Sequence, residues 1–365
     1  MISEIKVKNR KLELPVFFPD ATRGVIRTLD SKDLELIGIP GIVVNTYHLM
    51  TNPGGSVLAK GGGLKNFMSW KGTILSDSGG FQLLSLIYEN KSFGHINSNG
   101  VSFKKDSKVI KFTPEKSIEM QFKIDSDIMI CLDDCAPNDT SRTILEASVE
   151  HTIEWAKRCK KEYKKQLKIR NIDEKDRPLL FGVIQGGNDP KLRELCAKEL
   201  IKIGFDGYGF GGWPLDETNK KMNYEILKVT ADLMPDNLPK YGLGIGNPKA
   251  IIECVKLGYN IFDCVLPTRD ARHKRLYTFT NDLTPENFWN HPQPFHYLYI
   301  AEPIFRRDKL PIEKDCQCHT CQNFSRSYIH HLFNLEDPAA YRLATIHNLY
   351  FYQKLLTLIK TYGKR

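Results

Sequence analysis

A chain of 365 residues, 41% hydrophobic and 26% charged, can bury a large core and is too apolar to stay disordered. No apolar run approaches membrane-spanning length, and Met1 to Leu14 lacks the apolar stretch of a secretory signal, which sets aside membrane and secreted classes. A net charge of +9 points to an anionic partner, nucleic acid first, and nine cysteines with three crowded at Cys316, Cys318 and Cys321 fit a reducing compartment, by default the cytoplasm.

Along the chain, short apolar runs end repeatedly in polar or glycine residues. They are Val16 to Phe18, Ile42 to Val44 before Asn45, and Thr73 to Leu75 before Ser76 and Asp77. Ile128 to Leu132 leads to Asp133 and Asp134, Leu179 to Ile184 to Gln185, and Gly207 to Phe210 to Gly211 and Gly212. Lys240 to Leu243 leads to Gly244, and Ile261 to Asp263 is the eighth run. Helix-period segments fill several gaps: Thr143 to Lys165, Lys191 to Ile203, and Ile251 to Leu257 after a proline in the first turn at Pro248. Near-continuous apolar strands alternating with helices predict a parallel sheet covered on both faces, and eight units predict a (β/α)₈ TIM barrel over residues 1–278. The polar residues named above then fall at the strand ends where such barrels place their sites.

Two segments break the rhythm. Residues 90–112 carry turn residues and polar alternation, read as a hairpin or lid insertion near the mouth. Residues 279–365 read as a zinc-binding subdomain with a closing C-terminal helix. There Cys316, Cys318 and Cys321, with His347 further on, complete a four-ligand tetrahedral shell with no open position, hence one structural Zn2+. His319 is the rival fourth ligand, and His330 and His331 are further candidates. The basic run Lys157 to Lys168 reads as a solvated helix face.

The eighth strand carries a carboxylate, Asp263, and opens into Arg269, Arg272, His273, Lys274 and Arg275, an arrangement suited to chemistry on a polyanion. Asp77 follows another strand, with Gly79 and Gly80 allowing close approach and Phe81 offering a stacking face. Of Asp133 and Asp134 only one can point into the mouth, the other capping or facing solvent. Gln185 supplies an amide and Gly212 a backbone group for a heterocycle edge. Two carboxylates can attack an anomeric carbon and move the proton of the leaving group, and aromatic surfaces suit an extruded base.

At these residues the chain resembles the bacterial type of tRNA-guanine transglycosylase over nearly its whole length. The resemblance rests on Asn45 to Met50, Ser76-Asp77-Ser78-Gly79-Gly80-Phe81-Gln82, Phe262 to Arg269, and the three cysteines with the distant histidine. It implies a pentosyltransferase that replaces wobble guanine (position 34, GUN anticodons of Asp, Asn, His and Tyr tRNAs) by a 7-deazaguanine, preQ1 or queuine, in queuosine modification. By the same resemblance Asp263 is the nucleophile of a covalent ribosyl intermediate and Asp77 the acid and base. Asp133, Gln185, Gly212, Phe81 and Cys135 bind the base, Asn45 the ribose, and Arg269 and Arg272 the anticodon-loop phosphates. Glu217 lies near the base's substituent. Trp213 and Pro214 replace the family's small aliphatic stretch, and this wall leaves the incoming base open between preQ1 and queuine.

Other readings are 7-deazaguanine insertion into DNA or another tRNA position, a catalytically inactive RNA-binding subunit, and a metal-dependent barrel hydrolase. The last lacks a His/Asp cluster at the strand ends, and an inactive subunit is expected to lack the nucleophile. The resemblance further implies a homodimer through the helix after the zinc loop. Phe324, Tyr328 and His331 are spaced to share one helical face there.

Overall fold

The computed structural model describes residues 2–105, 108–138, 140–215 and 221–363. Eight parallel strands form the centre: β1 (Val16–Pro19), β2 (Gly41–Asn45), β3 (Thr73–Asp77), β4 (Ile128–Ile130), β5 (Leu179–Ile184), β6 (Gly207–Phe210), β7 (Lys240–Gly242) and β8 (Ile261–Cys264). Their order round the sheet is β1-β8-β7-β6-β5-β4-β3-β2. The seam between β1 and β2 is closed by a bridge of Asp20 with Val43, supported by Ala21 N to Val43 O (2.7 Å) and Asn45 N to Thr22 O (3.1 Å). Each strand lies on one of the eight apolar runs of the sequence, with β7 stopping at Gly242, one residue short of its run's end. The ladder takes in Asn45 and Asp77 and stops at Ile130, two residues short of the run's end.

Inside the barrel Val16, Phe18, Val43, Leu75, Ile128, Ile130, Phe181, Val183, Tyr241 and Ile261 pack together, with Val7, Leu12 and Leu14 of the N-terminal segment joined to the same cluster. Those last residues come from or follow a hairpin, Glu4–Val7 with Arg10–Glu13. The expected helices form as Arg142–Ile169, Pro190–Ile203 and Pro248–Lys256, the last two with Asp189 and Asn247 as side-chain N-caps and proline in the first turn.

Residues 90–112 contain a three-stranded antiparallel sheet, Gly94–Asn97, Gly100–Lys105 and Lys108–Phe112. Val101, Phe103 and Phe112 are buried in the main core, and the Trp155 indole donates to Ser98 O (3.0 Å). After β8 and the helix Leu266–Arg272, a two-stranded sheet (Arg275–Phe279 with Phe295–Tyr299) leads into the cysteine segment. The final helix, Pro338–Tyr362, returns to the barrel. Its Tyr352 packs on Phe17 of β1 with ring centroids 4.6 Å apart and donates to Gly246 O (2.5 Å).

The common helical face expected for Phe324, Tyr328 and His331 does not form. Helix His319–Asn323 ends before Phe324, whose backbone is extended, while Tyr328 and His331 lie on Arg326–Asn334. The break lets the Phe324 and Tyr328 rings stack at 5.3 Å.

Because Tyr352 is wholly buried between the last helix and the barrel, Tyr352→Ala should lose about 3–5 kcal/mol of stability in urea unfolding, as truncation of a large core side chain does. Tyr352→Phe should lose only about 1 kcal/mol, the hydrogen bond alone.

Candidate active site and metal centre

Parallel strands deliver their C-terminal residues to one rim, and here the rim is polar almost all the way round. In order, β8 carries Asp263, β1 leads into Asp20, β2 ends in Asn45, β3 in Asp77, β4 runs on to Asp133, β5 to Gln185 and β6 to Gly211 and Gly212. Asp20, Asn45, Asp77, Phe81, Asp133, Cys135, Gly212, Trp213, Asp263 and Arg269 line a single cleft of about 630 Å³. Gln185 stands behind this wall and reaches it through its amide, which donates to Asp133 Oδ2 (2.7 Å).

Asp263 is half-buried, and both its hydrogen bonds arrive at Oδ1, from Tyr241 OH (2.6 Å) and Gly244 N (2.8 Å). Burial pushes its pKa up to about 6 against those two donors, with the Asp77 and Asp20 charges adding to the rise. Asp77 is also raised to about 6 by burial, opposed by the amides of Gly79 and Ser78 and by Asn45. Asn45 caps the helix Thr46–Leu49 with its oxygen, and its amide nitrogen donates to Asp77 Oδ2 (2.8 Å) and Gln82 Oε1 (2.6 Å). Gly79 turns the chain out of β3 at φ +83°, where a Cβ would sit 2.5 Å from Tyr47 N, so the turn behind Asp77 requires glycine.

Asp133 is buried and pushed up to about 7, again by desolvation first, opposed by Gln185 and reinforced by Asp77 and Asp134. Asp134 faces away from the cleft. Instead of capping or meeting solvent, it is buried, accepting from Tyr88 OH (2.9 Å) and meeting His151 Nδ1 (2.9 Å). A buried carboxylate with two partners avoids the cost of an unpaired one. Burial raises the Cys135 thiol, keeping it protonated against the pocket.

In the same cleft Phe81 and Trp213 meet edge to face at 5.0 Å. The Trp213 carbonyl is taken by Asn138 Nδ2 (2.6 Å), and Pro214 leaves that peptide without an N–H. Glu217 lies outside the described residues.

One residue here escaped the sequence reading. Arg193, on the helix Pro190–Ile203, is fully buried and donates to Gly187 O (2.8 Å), Ile184 O (3.0 Å) and Gly211 O (3.0 Å), its guanidinium 4.0 Å from the Phe210 ring centroid. In a trans peptide the N–H opposes the C=O. Holding Gly211 O therefore turns the Gly212 N–H away from Arg193.

The basic residues after β8 divide. Arg269 lines the cleft, and Arg272 lines an adjoining cavity. Arg275 is bound to Asp270 and lies over the Tyr297 ring, a structural placement, and neither it nor His273 nor Lys274 lines the cleft or the adjoining cavity.

The metal-like residues converge. Cys316, Cys318, Cys321 and His347 are all buried, with ligand atoms within 4.8 Å of one another. The sulfurs lie 3.8, 3.7 and 3.3 Å from His347 Nδ1. One ion bound at about 2.0–2.3 Å in a tetrahedron spaces its ligands by roughly these distances. His347 Nε2 meets Tyr277 O (2.7 Å); a carbonyl only accepts, so Nε2 carries the proton and Nδ1 keeps its lone pair for the ion. His319 is exposed beside Asn323, His330 is held by Ile300 O (2.8 Å), and His331 is exposed; none belongs to the cluster.

Two outcomes follow from these geometries. Carboxyl pKa values raised from 3.8 to about 6 or 7 mean that the folded chain binds protons more tightly than the unfolded one between about pH 4 and 7, so stability falls as pH rises through that window. Asp133→Asn should flatten the slope and raise Tm at pH 8, measured by thermal unfolding from pH 4 to 8. Cys318→Ala should drop the metal content from one ion per chain toward zero by elemental analysis and lower Tm together with it.

A profile of the family described as queuine tRNA-ribosyltransferase matches residues 2–362. Queuine tRNA-ribosyltransferases from Thermoanaerobacter sp. and Staphylococcus haemolyticus are each 39% identical to this chain, covering 96% and 95% of it and 86% and 85% of their own lengths. One from Methylacidiphilum infernorum is 38% identical over 96% of this chain and 88% of its own. With the barrel, the rim of carboxylates and the Cys3His cluster in place, these matches make the chain a member of the queuine tRNA-ribosyltransferase family.

Proposed function

We propose that the chain is a tRNA-guanine transglycosylase exchanging the wobble guanine of GUN anticodons (Asp, Asn, His and Tyr tRNAs) for preQ1 or queuine by double displacement. The observation that carries this reading is the cleft that Asp77 and Asp263 share, each raised to about 6 and separately supported, with a third carboxyl and an aromatic wall beside them. Asp263 is the nucleophile: Tyr241 and Gly244 steady Oδ1, leaving Oδ2 to bond ribose C1′ as the C1′–N9 bond of guanine breaks. Asp77 gives its proton to the departing guanine, then takes one from the incoming 7-deazaguanine, whose N9 bonds C1′ and releases Asp263. Two inversions leave the ribose configuration retained, and the phosphodiester chain is untouched. A carboxyl with pKa near 6 holds a useful population of both forms near neutral pH.

Asp133, aligned by Gln185, reads the edge of the base, with the Gly212 N–H as a backbone donor set by Arg193. Phe81 and Trp213 flank the base, and Cys135 closes the pocket floor as a protonated thiol. The ion of the Cys3His cluster is Zn2+, one per subunit, which ties the cysteine loop to the last helix; its shell is filled by protein and gives it no part in the chemistry. Residues 1–278 act as the barrel and 279–365 as the zinc subdomain with its helix. The stacked Phe324 and Tyr328, with exposed His331, form part of a homodimer contact. No described helix is long and apolar enough to cross a membrane, and the proposed setting is the cytoplasm.

Nucleoside mass spectrometry on a guanine-34 tRNA incubated with the protein, preQ1 and queuine together tests the reading. One 7-deazaguanosine should replace guanosine at the wobble position, and its mass identifies the base that the Trp213–Pro214 wall admits. Unchanged guanosine would return the chain to the DNA-modifying or inactive-subunit readings. In the same assay Asp77→Asn should slow loss of labelled guanine and its reincorporation together, by about 100-fold or more. The wild-type rate should fall below about pH 6 as Asp263 takes up a proton.

A further inference from the structure

Beside the cleft lies a second cavity of about 330 Å³, lined by Asp20, Thr22, Arg23, Val25, Arg27, His48, Val265, Thr268 and Arg272. Asp20, Thr22 and Val265 line both spaces and form the wall between them. The second cavity is cationic by construction. Among the described residues no carboxylate comes within salt-bridge distance of Arg23, Arg27 or Arg272. The three guanidiniums nonetheless gather at one place: Arg27 and Arg269 both repel the charge on Arg272, and Arg23 repels that on His48. Asp20 is the one counter-charge acting on Arg272 and His48, so three guanidiniums face a single carboxylate, and the surplus of positive charge favours an anionic ligand.

Asp20 is the one acid of the wall. It accepts from Thr22 N (3.1 Å) and Thr22 Oγ1 (2.5 Å), both at Oδ1, which leaves Oδ2 as an acceptor with no protein donor. A nucleotide whose base enters the cleft and whose phosphate enters the arginine cavity has its sugar against this wall, because the sugar joins the two. We propose that the arginine cavity seats the backbone phosphate next to the reacting nucleotide, and that Asp20 accepts a hydrogen bond from that nucleotide's ribose 2′-OH, so that the wall selects RNA over DNA. This rests on the reading of the cleft as a nucleotide site and adds the residue that reads the sugar. A 2′-hydroxyl is the group by which a protein tells the two nucleic acids apart at a given position. Arg23 and Arg27 act on the phosphate without regard to sugar or base.

The test uses binding, which needs no turnover. Two fluorescent RNA hairpins differ only by a 2′-deoxy substitution at the reacting guanosine, and anisotropy gives Kd for each. The wild-type protein should bind the all-ribose hairpin about ten-fold more tightly, the value of one hydrogen bond to a charged group. Asp20→Ala should bring the ratio close to one, and Asp20→Asn, which keeps a carbonyl oxygen, should hold part of it. Arg27→Gln should leave the ratio unchanged and lower the slope of log Kd against log salt by about one. A wild-type ratio near one, or an Asp20→Ala ratio equal to the wild type's, overturns the sugar-reading role. An unaltered salt slope in Arg27→Gln overturns the phosphate seat. A protein that discriminates the sugar but exchanges no guanine would refute the proposed reaction while sustaining this inference.

Discussion

Everything in this molecule depends on the closure of eight parallel strands. Parallel pairing sends every strand's C-terminal residue to the same rim, so residues far apart in the chain become neighbours without any loop having to carry them. Asp77 and Asp263 are separated by most of the barrel sequence, yet they share one cleft because β3 and β8 stand on either side of β1 and β2. The weakest part of that circle is the β1–β2 seam, held by the one bridge at Asp20 and Val43, which includes the Ala21 N to Val43 O bond, and by Asn45 N to Thr22 O. It is also where the cleft and the arginine cavity share a wall. The last helix supports this seam from outside through Phe17 and Tyr352.

The second constraint is desolvation. Four carboxyl groups, Asp20, Asp77, Asp133 and Asp263, in one cleft cannot all ionise cheaply, and each is raised by burial before any neighbour acts. The protein holds them by distributing donors unequally. Asp263 receives a phenol and an amide on one oxygen, Asp77 an asparagine amide and two turn amides, and Asp133 a glutamine. That unequal support places chemically similar side chains in different surroundings. It also costs stability at neutral pH, a common feature of working sites.

Much of this architecture was legible in the sequence because periodicity and strand-end chemistry are local signals. Each apolar run marks a strand, and the polar residue after it marks the rim. The three cysteines of the metal-like cluster were readable from their short spacing, whereas the fold brings His347 rather than His319 to them, since that depends on a helix returning to the loop. What could not be read were the residues whose meaning is tertiary. Arg193 sits among charged helix residues and looks solvated, yet it is fully buried against three carbonyls. Asp20 follows a proline in no motif, and its importance comes from strand closure. Arg275 appears part of a basic run but is spent on Asp270, and Phe324 falls one residue beyond a helix that spacing alone would have continued.

The zinc-type cluster extends the same logic to the end of the chain. It brings the cysteine loop against the helix whose other turns pack on β1, so an ion held there would couple the loop to barrel support through one element. The central claim, however, concerns a bond that forms only during turnover. Its most direct test is to quench the protein with a guanine-34 anticodon hairpin under denaturing conditions and map the modified peptide by tandem mass spectrometry. The account predicts a ribosyl adduct on Asp263, absent from the Asp263→Asn protein. An adduct on Asp77, or an Asp263→Asn protein that still exchanges guanine, would contradict it.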